Sequence, residues 1–171
     1  PLPSRQLGCA HGTALVMSEA ADSFLVVVDD TAESSKALRF AALRAQHTGA
    51  QVALLHVLKP TQFLQWGSVQ KEMEAEAEDT ARALLAGKAA EVEAMTGIRP
   101  TFRLMRGKPV EAVLELLTGD RSIRALVLAA AAKGKPGPLV DFFAGERAGT
   151  LPCMVMIVPG GISDSDLDRL T

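Results

Sequence analysis

The chain has 171 residues, of which 48% are hydrophobic and 22% charged, and its net charge is −2 at neutral pH. That length suits one domain with a sizeable buried core. The near-neutral balance gives no reason to expect nucleic acid or an anionic membrane as a partner, and no apolar run approaches the roughly 20 residues that span a bilayer. Cys9 and Cys153 are too few for a disulfide scaffold and fit a reduced, cytoplasmic setting.

Residues 1–22 are rich in small and polar residues without sustained periodicity, and read as a flexible tail. The stretch lacks the basic start and continuous apolar segment of a secretory signal. Met17, just ahead of SEAADS, is the expected natural start, with residues 1–16 an upstream extension.

From Phe24 the pattern alternates strand and helix. FLVVV is a β-branched run without polar alternation, as expected of a strand covered on both faces. The next segment spaces Ala37, Leu38, Ala41, Ala42 and Ala45 helically and stops at Gly49. Val52 to Leu58 forms a second buried strand, which Pro60 helps to end. A long helix is predicted from Val69 to Met95, closed by Gly97 and Pro100; its acidic run, Glu72 to Asp79, reads as a solvated face. Thr101 to Met105 is half polar and so a less buried strand. Pro109 suits the first position of the following helix.

ALVLAAAA begins with a fourth strand. The glycine loop KGKPGP and a short helix through LVDFFAGE follow, then a fifth strand, Cys153 to Val158. The ending ISDSDLDRLT reads as one or two helical turns capped by Ser163. Such alternation implies a parallel sheet with helices on both faces, and in these folds ligands bind beyond the carboxyl ends of the strands.

Asp29 and Asp30 stand at the end of the first strand. A phospho-acceptor receiver also places paired acids there, to hold Mg²⁺. It needs a further Asp after its third strand, where this chain carries TFRLMRGKP and no Asp, so that reading is rejected. Asp30 and Thr31 are each candidate caps of the first helix. His56, within an apolar strand, reads as a satisfied structural histidine, and Cys153 as inert core. No metal-ligand spacing, Ser-His-Asp or Cys-His arrangement is present in the sequence. Phe63 and Trp66, ahead of the long helix, could cover the crevice, but simple packing is the plainer reading.

The opening FLVVVDDTAESSKALRFAALRAQHTGAQVALLHVLKP, with its Val-Asp strand end and its Leu-His-Val, resembles the first β-α-β unit of the universal stress protein family. FRLMRGKPVEAVLELL and ALVLAAAAKGKPGPLVDFFAGERAGTLPCMVMIVPG resemble its later units, so the resemblance covers residues 23–160 and leaves 161–171 as a short helical extension. It implies an open five-stranded parallel sheet of order 3-2-1-4-5. It also implies a regulatory or binding module, more a binder than an enzyme, that holds an adenine nucleotide (AMP, ADP or ATP) in some members and none in others. By position, Asp29 would contact the adenosine and Val57 the adenine through its backbone, with Asp30 and Thr31 beside them. Ala129 stands where nucleotide-binding members carry glycine at the end of the fourth strand.

The family's phosphate loop is Gly-x2-Gly-x9-Gly-Ser/Thr. Gly134 and Gly137 supply its start, but Gly145 comes after seven residues and is followed by Glu146, and Gly149-Thr150 comes after eleven. With Lys133 and Lys135, the segment reads equally as a phosphate loop and as an ordinary surface loop. The alternatives to a nucleotide-binding module are a slow ATP hydrolase in the same crevice and a nucleotide-free dimer that binds client proteins. Resemblance and the uncharged last strand imply a homodimer paired through that strand, with Met154 and Met156 at or near its interface, unless the residues from Gly160 cover the edge.

Overall fold

A computed structural model of the chain describes residues 21–60 and 67–171. The expectations for residues 1–20 of the tail, Met17 among them, and for Phe63 and Trp66 fall outside the described residues. Five parallel strands form one sheet: β1 (Ser23–Val27), β2 (Gln51–Leu58), β3 (Thr101–Arg106), β4 (Ile123–Ala130) and β5 (Met154–Pro159), in the order β3-β2-β1-β4-β5. The connecting helices are α1 (Ala32–Thr48), α2 (Gly67–Thr96), α3 (Pro109–Gly119) and α4 (Pro138–Ala144), and α5 (Asp164–Leu170) closes the chain.

The pleat sends Val26 and Val28 toward the α1 and α2 layer and Leu25 toward α3 and α4. Both sets are buried, which is why the first strand reads as a continuous apolar run. On the α1 layer, Ala37, Ala41, Ala42 and Ala45 are fully buried. Their small side chains let the helix lie close over β1 and β4. The opposite layer is built on Val113 and Leu117 of α3 and Phe143 of α4, whose rings Phe142 and Phe143 meet edge-on at 5.2 Å. Losing a buried ring such as that of Phe143 costs about 3–5 kcal/mol.

Helix ends follow their local chemistry. Thr31 caps α1, its hydroxyl accepting from the Ser34 N–H at 3.2 Å; Asp30, the other candidate, makes no such bond. Gly49 ends the helix in the left-handed conformation at φ 72°, donating its N–H to Ala45. Ser163 accepts from the Asp166 N–H and donates its hydroxyl to the Asp166 carboxylate, which starts α5. That last helix docks on α1. Leu167 is buried there, Lys36 meets Asp164 at 2.6 Å, and Arg39 makes two 2.7 Å bonds to Asp168. It therefore packs on the helical layer, and the exposed Met154 and Ile157 of β5 remain at 60% and 41% accessibility.

Candidate functional site

The carboxyl ends of β1, β2 and β4 surround an open crevice of about 800 Å³. Strand order changes direction at β1, the switch point where this class of sheet accepts ligands. One wall is the β1–α1 turn. There Asp29 Oδ1 accepts from the Thr31 N–H at 2.9 Å and the Thr31 hydroxyl at 2.5 Å, while the Asp29 N–H donates to Ser34 Oγ at 3.0 Å. Ser34 is 3% accessible, so a buried hydroxyl fixes the aspartate's backbone and the exposed Thr31 fixes its carboxylate. The turn presents that carboxylate to solvent in one orientation.

The second wall is the end of β2. His56 Nδ1 lies 2.8 Å from the Val28 carbonyl oxygen. A carbonyl only accepts, so Nδ1 carries the proton and, in the neutral ring, Nε2 keeps its lone pair. This bond ties β2 to β1 at the crevice and accounts for a polar ring in an apolar strand. Val57 and Lys59 also line the cavity.

The third wall is β4 and its loop. Ala129 and Gly137 line the crevice; Gly134 and Gly145 do not. The loop folds back on itself through Ala131 N–H to Pro136 O at 3.1 Å, which puts Gly134, at φ 79°, in a turn off the crevice wall. Gly145 ends α4, where a side chain would come within 2.5 Å of the Asp141 carbonyl; the need for glycine there is one of space at a helix end. Of the eight residues picked from the sequence, six therefore meet at the crevice: Asp29, Asp30, Thr31, Val57, Ala129 and Gly137.

Glu33, Lys59 and Gly160 went unseen in the sequence. Glu33 lines the crevice from the first turn of α1. Gly160 follows β5, donates its N–H to Ala130 O at 2.8 Å, and lies so close to Glu33 that a methyl group would sit 2.4 Å from its Cγ. Only a GG pair after the last strand could have hinted at it.

The rim is acidic. Asp29, Asp30 and Glu33 face one lysine, Lys59. Among the described residues no group of three or more His, Cys, Asp or Glu could hold a metal ion. Cys153 packs half-buried against the α3–α4 side of the sheet, and burial pushes its thiol pKa up, away from thiolate chemistry. No helix among the described residues is long and apolar enough to cross a membrane.

These features define an α/β domain with an open crevice at its switch point. Its sequence from residue 21 to 159 matches the Universal stress protein family, to which the chain belongs. Among solved structures it is similar to the universal stress protein UspA from Lactobacillus plantarum, at 19% identity and TM-score 0.66, over 82% of this chain and 99% of that one. A second is the universal stress protein from Archaeoglobus fulgidus in complex with dAMP (19% identity, TM-score 0.54, covering 81% and 98%). A third is a universal stress protein family protein from Arabidopsis thaliana with AMP bound (14% identity, TM-score 0.55, covering 85% and 94%). Comparison with curated proteins gave no match. At such identities the structural likeness establishes the fold.

Proposed function

We propose that the crevice binds an adenine nucleoside or its monophosphate and that the protein is a nucleotide-responsive binding module. The observation that carries this reading is the convergence of Asp29, Val57 and Gly137 on one cavity of about 800 Å³, from three separate segments of the chain. A pre-oriented carboxylate suits ribose hydroxyls, which donate to it. The dAMP and AMP complexes of two structural neighbours support the same ligand class.

Charge sets the preference among nucleotides. Three carboxylates against one lysine disfavour a triphosphate unless a cation intervenes. Gly137 is followed by Pro138, which has no N–H to offer an anion, so the start of α4 is a poor phosphate cradle. Calorimetry in the absence of Mg²⁺ should find AMP and ADP binding at least as well as ATP, and Asp29→Ala should weaken all of them. A strong preference for ATP would count against the reading. Steady release of phosphate from ATP, lost in Asp29→Ala, would instead favour a slow hydrolase.

The same module is proposed to pair through β5. That strand lies at the sheet edge, carries no charge, and exposes Met154 and Ile157. Met156 packs against the α1-side core, which makes Met154 and Ile157 the contact residues of choice.

A further inference from the structure

A second cavity of about 520 Å³ adjoins the crevice and shares Asp30, His56 and Leu58 with it. It runs along α2, whose Met73, Ala77, Ala81 and Leu84 supply an apolar wall at helical spacing. Its polar groups have one thing in common. Asp30 and Glu76 are carboxylates, with no hydrogen-bond partner for either side chain among the described residues, and the Nδ1–H of His56 is already given to Val28. Thr80 donates its hydroxyl to the Glu76 carbonyl at 2.9 Å, so it too has only lone pairs left. Among the described residues no lysine or arginine lines the cavity. An apolar wall ringed by acceptors, two of them anionic, is matched by an apolar chain ending in a donor-rich cation.

Resting on the nucleoside reading of the crevice, we infer that the two cavities together bind a nucleoside conjugate. Its nucleoside occupies the crevice. Its second part, an alkylammonium or a similar apolar cationic group, lies in the bay along α2 between Asp30 and Glu76. With a cationic second part, the acidic rim attracts the ligand.

The test uses adenosine, adenosine carrying an aminobutyl chain at N6 or at the 5′ position, and the same compounds with an uncharged butyl chain. Calorimetry on the full chain should show one aminobutyl probe binding about tenfold or more tighter than adenosine, about 1.4 kcal/mol, with the butyl probe in between. Ala77→Phe fills the bay from an exposed helix position and should abolish the gain while leaving adenosine binding unchanged. Glu76→Lys, also at an exposed position, should reverse the preference for the charged probe. Adenosine binding with no gain from either chain, or a gain that survives Ala77→Phe, overturns this inference and leaves the nucleoside reading intact. Failure of adenosine itself to bind overturns both.

Discussion

Replacing Gly160 with alanine asks whether the crevice wall is as close-fitting as the distances imply. The new Cβ would stand 2.4 Å from Glu33 Cγ, 2.6 Å from the Ala130 carbonyl oxygen and 3.1 Å from the Ala132 nitrogen. The Glu33 side chain can swing away, but two of the three neighbours are backbone of β4 and its loop, so the 159–161 segment must lift. Gly160 has no left-handed φ, which makes the cost one of space. Overpacking of this kind costs about 1–3 kcal/mol, and weakening the 2.8 Å bond to Ala130 about 1 kcal/mol more. The reduced freedom of alanine in the unfolded chain returns about 0.4–1 kcal/mol. A net loss of about 1–3 kcal/mol corresponds to a fall in melting temperature of about 2–12 °C for a domain of this size. Scanning calorimetry measures it directly. Gly161→Ala is the matched control, because its Cβ would meet only the Ala132 Cβ, at 3.9 Å; it should melt about 1–4 °C above the parent. A Gly160→Ala protein that melts as the parent does would refute the argument from space.

Ser34→Ala leaves the Asp29 N–H without its partner beneath the crevice and should cost about 1–3 kcal/mol in urea denaturation; an unchanged midpoint would mean that another acceptor takes over. The Arg39 guanidinium holds the Asp168 carboxyl below its usual pKa, so that pair stabilises the docked α5 fully above the ordinary carboxylate range. The contribution is lost as pH falls through the depressed value. Amide exchange in residues 164–170, corrected for intrinsic rate, should therefore rise on acidification, and Arg39→Ala should show the faster exchange already at neutral pH. In light scattering at micromolar concentration the parent should report twice the chain mass, with Met154→Lys or Ile157→Lys shifting it toward one; a monomeric parent would refute pairing through β5.

Strand and helix positions were legible because burial on both faces leaves a plain trace: FLVVV, VALLHVL and ALVLAAAA stand out against amphipathic helices, whereas the order of the strands came only with the family resemblance. Thr31, Gly49, Pro109 and Ser163 act through neighbours within four residues, and their roles could be anticipated for that reason. Asp29, Val57 and Gly137 were found through a family pattern tied to strand ends. What escaped depends on contacts across the chain. Nothing near Gly160 announces that Glu33 lies against it, and nothing near Gly134 announces that Ala131 and Pro136 close its loop away from the crevice. The bay along α2 is likewise a product of packing, since Glu76 and Thr80 read locally as one more stretch of solvated helix.

The place of β1 between β2 and β4 has a consequence for how the molecule is made. Its β2 neighbour follows within one helix, but its other neighbour begins at Ile123, nearly a hundred residues after Val27. At about 5–20 residues per second of synthesis, one edge of this doubly buried strand waits about 5–20 s for its partner. The crevice cannot exist before that pairing, and Gly160 packs behind its Glu33 later still. A nascent chain thus carries a sticky half-sheet with no ligand site to protect it, which marks the interval from β2 to β4 as the stage at which a chaperone, rather than a nucleotide, would guard this fold.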